Sequence, residues 1–505
     1  MTEPHDRRRG ETGPPAQHGR RRLIGLVAAI TATVAILGTL GYFWFASLVP
    51  STYSVMDLGY AEGGGDPTTG HAHGGLSIAT LTGPDSRPDV AVTLIAREES
   101  YALASGERVT GYTVNHTSPG PLVRATVGQL VEVTLVNDDV SDGVSLHWHG
   151  VDVPNAEDGV AGVTQDAVAP GGSHVYRFRA EQPGTYWYHS HQASEEQVMG
   201  GLYGALVVDP RQPAAGQNDV VVPVHTYAGR RAAAGRTGTQ RIVATPGDQV
   251  RLRLIDTDSA PLRATVTGTP YRVVAVDGRD LNGPTDVTDP AVVVAAGGRV
   301  DLGVTVPTDG KAVRLDLGAG SAVLVGPPSA ADPGPRESAA TLDLLSYGTP
   351  RPTELVTAAQ HPDRTFELSV GRRPAFVDGR PGLFWTMNGH TFPDVPMFMV
   401  RYGDVVVMTV KSSSSQPHPM HLHGHHALVL SRDGVAASGS PWWTDSLEVE
   451  NGQSYVVAFR ADNPGIWLDH CHNLKHAADG MIAHVAYEGY TTPYRVGGSA
   501  GNDPE

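Results

Sequence analysis

Phe178-Arg-Ala-Glu-Gln-Pro-Gly-Thr-Tyr-Trp-Tyr-His-Ser-His191 aligns without gaps with Phe459-Arg-Ala-Asp-Asn-Pro-Gly-Ile-Trp-Leu-Asp-His-Cys-His472. Each stretch reads as a strand, a Pro-Gly turn and a second strand ending in His-x-His. Upstream, His147-Trp-His-Gly150 matches His421-Leu-His-Gly424. A looser recurrence, strand, Gly-centred turn, strand, opens three segments at Val123–Asn137, Ile242–Ile255 and Met399–Val410. Repetition on a scale of about 130 residues or more marks a duplicated domain rather than a solenoid. Between Val90 and Tyr487 short Val-rich alternating runs are broken by Gly, Pro, Asp and Asn, with almost no helical period. The pattern predicts an all-β chain of three Greek-key β-sandwich domains over 89–212, 213–348 and 349–490. The second copy carries no His-x-His and is expected to be a spacer between the outer two.

Working outward, 505 residues allow about three domains of ordinary size. With 40% hydrophobic and 18% charged residues the chain is globular, and 60 Gly and 38 Pro without a fixed period exclude a collagen. A formal charge of −16 argues against a nucleic-acid partner. A single cysteine excludes an intrachain disulfide. Residues 1–22 are basic, with Arg7, Arg8, Arg9, Arg20, Arg21 and Arg22 ahead of an apolar run at 23–49 that is long enough to span a bilayer. The positive-inside rule puts these arginines in the cytoplasm and the rest of the chain outside. A single-pass membrane anchor is the preferred reading. The alternative is a cleaved export signal and a secreted protein, since Arg20-Arg21-Arg22-Leu23-Ile24 loosely fits a twin-arginine signal. Residues 50–88 read as a Gly/Pro-rich linker, its His71 and His73 solvated, and 491–505 as a polar tail.

The chemistry lies in the His-x-His pairs. On a strand, residues i and i+2 share a face, so each pair aims two imidazoles at one place. The pairs are His147/His149, His189/His191, His421/His423 and His470/His472, two from each outer domain. Together they exceed what one ion can hold, so the outer domains are expected to meet around a cluster of several metals. Cys471 lies between His470 and His472, so its sulfur points to the opposite face. With His418, His476 and Met481 it completes two imidazoles, a thiolate and a weak thioether, the set of a blue-copper site. In the first domain Ser190 takes the place of Cys471, and no such site can form there. An electron arriving at Cys471 need only follow the chain to His470 or His472 to reach the cluster, where four electrons reduce dioxygen to water.

In these motifs the chain resembles the three-domain multicopper oxidases of the laccase-like type, over roughly residues 90 to 490. The resemblance implies cupredoxin-like domains and four copper ions. The type 1 copper would take His418, Cys471 and His476 with Met481 axial, and the type 2 copper His147 and His421. The type 3 pair would take His149, His189, His191, His423, His470 and His472. It also implies a proton-relaying role for Asp158 and a solvent-facing edge of His476 where donor electrons arrive. Some bacterial relatives carry a second acid just after that histidine. Here Ala477 stands there, with Asp479 or Glu448 as possible substitutes. His425 and His426 are expected in surface or supporting roles. The first functional reading is a laccase-like oxidase of phenolic or aromatic amine donors. The second is a metallo-oxidase for cuprous or ferrous ions, and the third a non-catalytic copper carrier. Because one chain supplies both halves of the cluster, a monomer is expected.

Overall fold

The computed structural model describes residues 16–62, 75–212 and 217–505. His71 and His73 lie outside the described residues. Two compact units are present: Met1–Val49 with Pro374–Leu383, and Pro50–Arg373 with Phe384–Glu505.

In the first unit the helix Ala16–Ala46 contains a stretch, Arg20–Ala46, long and apolar enough to cross a membrane, with none of it buried. A helix of this kind near the N-terminus fits an anchor and a signal sequence equally. Ser47, just past the helix, accepts the Asp378 N–H on its carbonyl oxygen (2.9 Å) and the Gly379 N–H on its hydroxyl (3.0 Å).

The second unit is built from three pairs of β-sheets, as the alternating patterns require. Sheets of four and four strands enclose a core around Val133, Trp148, Tyr176 and Phe178. Sheets of seven and five strands enclose the second, around Leu252, Leu302 and Val323. Sheets of six and seven strands enclose the third, around Phe398, Trp467 and Val485. The recurring strand–turn–strand segments occupy corresponding places, with Leu130–Asn137 and Val405–Ser412 each running antiparallel to the strand that precedes the His-x-His hairpin.

Two expectations fail here. The described parts of 50–88 and the segment 491–505 are not a free linker and tail but pair with the domains and with each other. Thr52–Tyr53 pairs with Val496–Gly497, Leu76–Ser77 with Tyr490–Thr491, and Tyr60–Glu62 adds to the edge of the third domain's six-stranded sheet. Buried apolar side chains hold them. Val55, Ile78 and Val496 share a satellite core with Met397, Met399, Ile466 and Leu468. Pairings of two or three residues are too short to leave a period in the sequence, and the surrounding Gly and Pro mask the few apolar anchors.

Candidate metal centre

The strand Ile466–Cys471 lies between His418–Leu422 and Ile482–Tyr487, with His421 opposite His470 and Met420 opposite Cys471. Its alternation sends His470 to one face and Cys471 to the other. On the Cys471 side, Sγ lies 3.7 Å from His418 Nδ1 and 3.6 Å from His476 Nδ1, all three residues being buried. The short helix Leu474–Ala478 delivers His476. Met481 is buried, and its backbone links the other ligand candidates. Cys471 N–H donates to the Met481 carbonyl (3.1 Å), and Met481 N–H donates to the His476 carbonyl (3.0 Å).

Tautomers follow from the outer partners. His476 Nε2–H donates to Gln416 Oε1 (2.8 Å). His418 Nε2–H donates to the Ser414 hydroxyl (2.5 Å), whose own proton goes to the Gln416 carbonyl. Both Nδ1 lone pairs are left facing the sulfur. Burial pushes both imidazoles down to about 4, so they stay neutral, and pushes the Cys471 thiol up. A thiolate buried here needs a cation to offset its charge.

On the other face all eight imidazoles of the His-x-His pairs converge. Their ring nitrogens form three groups in which the candidate ligand atoms lie within 4.8 Å of one another: His147, His149 and His421; His149, His189 and His472; and His191, His423 and His470. His147 Nε2 is 3.3 Å from His421 Nε2, and His423 Nε2 is 3.1 Å from His470 Nε2. Burial drives His149, His189, His423, His470 and His472 well below the ordinary imidazole range and His191 to about 3. His149 Nδ1, His189 Nε2, His191 Nε2 and both His472 nitrogens are buried without a hydrogen-bond partner. Neutral imidazoles with unsatisfied lone pairs, gathered two or three at a time, are what several copper ions require, so the donor set fits the implied group.

A ring of acceptors fixes the outward nitrogens. Asp158 Oδ2 accepts from His423 Nδ1–H (3.0 Å), its Oδ1 lies 3.1 Å from His147 Nδ1, and its carbonyl takes the same His147 N–H (2.9 Å). The carboxylate is therefore part of the cluster rather than a simple turn residue before Gly159. Asp445 accepts from His421 Nδ1–H through its carbonyl (2.8 Å), and its Oδ1 lies 3.2 Å from His149 Nε2. His425 reaches the His423 carbonyl and the Tyr487 hydroxyl, and His426 lies between Asp152 and Asp445. Both are buried, and neither belongs to the three histidine groups.

Several neighbours escaped the sequence reading. Arg299, from the second domain, grips Asp445 with two bonds of 2.6 Å. Burial pushes Asp445 up, but Arg299 and the surrounding histidines outweigh it and hold the carboxyl well below its usual range. Gly297, two residues earlier, has φ +78°, and a Cβ there would sit 2.7 Å from the His472 ring. The spacer domain thus contributes two of the contacts that shape the site, though among the described residues it contributes no imidazole to the three groups. From the expected tail, the Pro504 carbonyl accepts from His191 Nδ1–H (2.7 Å), and Glu505 Oε1 lies 3.2 Å from His470 Nδ1. Nothing local in the sequence marks these residues, since each partner lies in a different element well removed along the chain. Asp479 is exposed beside Lys475 and does not reach the cluster.

One expected feature is corrected. The edge of His476 does not face solvent: the residue is 5% exposed, because the strand Arg380–Met387 brings Trp385 against it.

The multicopper oxidase family pattern matches residues 96–213 and again 357–489, the two segments that carry every imidazole of the three groups. Multicopper oxidase MmcO of Mycobacterium tuberculosis is 29% identical, over 83% of this chain and 92% of that protein. Laccase-1 of Melanocarpus albomyces is 28% identical over 73% of each. The crystal structure of a multicopper oxidase from Pseudomonas thermotolerans superposes with TM-score 0.64 at 25% identity, covering 79% of this chain and 98% of that one. A cysteine between two cluster histidines, imidazoles converging from both outer domains, and these relatives agree: the chain belongs to the multicopper oxidase family of copper-dependent, oxygen-using oxidoreductases.

Proposed function

We propose that the protein is a laccase-like oxidase that removes one electron at a time from phenolic or aromatic amine donors and passes four of them to dioxygen, which takes up four protons and leaves as two waters. The observation that carries this reading is Cys471, its sulfur beside His418 and His476 while its chain neighbours His470 and His472 belong to the histidine groups. Copper bound at these positions would supply one-electron acceptance on the cysteine side and oxygen reduction on the histidine side.

The remaining work falls to the chain. His418, Cys471, His476 and Met481 form the type 1 set, and His147 and His421 the type 2 pair. His149, His189 and His472 would hold one type 3 ion, and His191, His423 and His470 the other. The backbone from Cys471 to its two neighbours is the electron path. Asp158 holds the outward protons of His147 and His423 and stands where protons must be handed in. The full set argues against a mere carrier.

Oxygen uptake by the copper-loaded protein, comparing a phenol with cuprous ion under chelation, tests the proposal. Uptake with the phenol that disappears in Cys471→Ser is expected. Uptake with cuprous ion alone would overturn the donor assignment in favour of a metallo-oxidase, and no uptake with either would make the protein a carrier. Relatives named for copper resistance and iron transport share 24% and 26% identity. The buried Met397 and Met399 are packed in an apolar core, which favours the organic donor.

The helix Arg20–Ala46 is read as a single-pass anchor, with the catalytic unit outside the cytoplasm. Membrane fractionation together with N-terminal sequencing of the mature chain separates this from a cleaved export signal. A monomer is expected by sedimentation, since one chain supplies both halves of the cluster.

A further inference from the structure

His476 is the imidazole through which electrons would have to arrive, and it is closed off. Its Nε2–H is held by Gln416, and its ring packs 4.2 Å, centroid to centroid, from Trp385, which also sits 5.0 Å from the His418 ring. Trp385 is itself only 4% exposed, because the Arg372 guanidinium lies 4.2 Å over its indole. Arg372 is on the surface and comes from the strand Arg364–Val377, which pairs in parallel with Val405–Ser412. From solvent inward the order is therefore guanidinium, indole, imidazole, thiol.

Building on the type 1 reading above, we infer that Trp385 is the residue through which donor electrons reach His476, and that Arg372 selects planar phenols bearing a carboxylate. A guanidinium offers a flat face for an aromatic ring and N–H donors for an anionic oxygen. A phenol stacked on this pair gives one electron through the indole to His476 and its proton to water, leaving as a phenoxyl radical. The electron is finally taken up by dioxygen through the oxidase activity proposed above. A cationic donor meets the charge of Arg372 at contact, with Lys475 also close enough to act on His476 and Asp479 opposing both. The overall charge of −16 would attract cations at long range, but screening removes that effect beyond about 8–10 Å and leaves the local charge to decide.

The test follows bleaching of the blue absorption without oxygen, in the full-length copper-loaded protein. The probes are a methoxylated hydroxybenzoate, an uncharged methoxyphenol and a cationic phenylenediamine. Trp385→Leu should slow bleaching by all three at least tenfold, and Trp385→Phe should restore part of the rate. Arg372→Glu should lower kcat/KM for the hydroxybenzoate at least tenfold, lower it much less for the uncharged phenol, which loses only the stacking face, and raise it for the diamine. Copper content, the blue band and the reduction potential are measured for each variant. Bleaching of Trp385→Leu at or above the wild-type rate, or slowing that a changed potential accounts for, overturns the electron path. An unaltered donor order in Arg372→Glu overturns the selectivity, even if the tryptophan variants lose copper. A wild-type protein with no blue band would instead remove the type 1 assignment beneath the inference.

Discussion

Cys471 has two kinds of neighbour, and at the residue scale they separate cleanly under mutation. Cys471→Ser should abolish the blue absorption and donor oxidation and lower bound copper by about one ion, leaving the histidine groups loaded; metal analysis with electron spin resonance reads this. Asp158→Asn keeps one oxygen acceptor and sets an amide N–H₂ against the other imidazole N–H. Oxygen reduction or copper affinity should fall roughly 10–100-fold with the blue band intact, as outer partners of metal ligands usually behave. Glu448 offers a pH test. Burial and then the neighbouring Glu450 push its carboxyl up to about 8, against a pull from the Ala296 backbone. Its proton is thus bound more tightly in the folded chain, and stability falls as pH rises from the ordinary carboxylate range through about 8. Glu448→Gln should raise the melting temperature at pH 9 and leave it unchanged near pH 4. The ligand candidates were legible because strand alternation converts i, i+2 spacing into a shared direction. Arg299 and Glu505 were not, because an isolated charged residue carries no sign of what it will be buried against.

Among the elements, the strand Ile466–Cys471 behaves as its sequence says, while the strand Arg380–Met387 does more. Nothing in its sequence tells which neighbour Trp385 will cover, which is why the solvent-facing edge was wrongly expected. The segment Asn502–Glu505 is the clearest case of hidden function, with Asn502 accepting from Ala167 N–H, Pro504 from His191 and Glu505 from Ser194. Removing 503–505 should leave the blue site intact while weakening the group of His191, His423 and His470. A drop in the near-ultraviolet band of a coupled copper pair would register the loss. An unchanged band would mean that the segment only lies over the site.

For the whole molecule, the three sandwiches were readable from the repeat, but the part played by the middle one was not. It holds the cluster together from outside: Arg299 joins it to Asp445 of the third domain, which touches a histidine from each outer domain. Arg299→Met leaves a buried carboxylate without its partner, a change that costs roughly 3–5 kcal/mol. Calorimetry should find a clearly lower melting temperature, with copper lost from the histidine groups before the cysteine site.

The contacts that close the centre also impose an order in time. His147 meets His421 across 274 positions, and His191 meets Pro504 across 313. Contacts so distant in sequence are slow to form, because the entropy of closing the loop is lost before the contact rewards it. A partly folded chain has the histidines but not their arrangement, so the groups that draw on both outer domains are complete only in a finished molecule. Loading becomes a form of proofreading, in which only a correctly folded copy acquires the colour and the redox activity of copper.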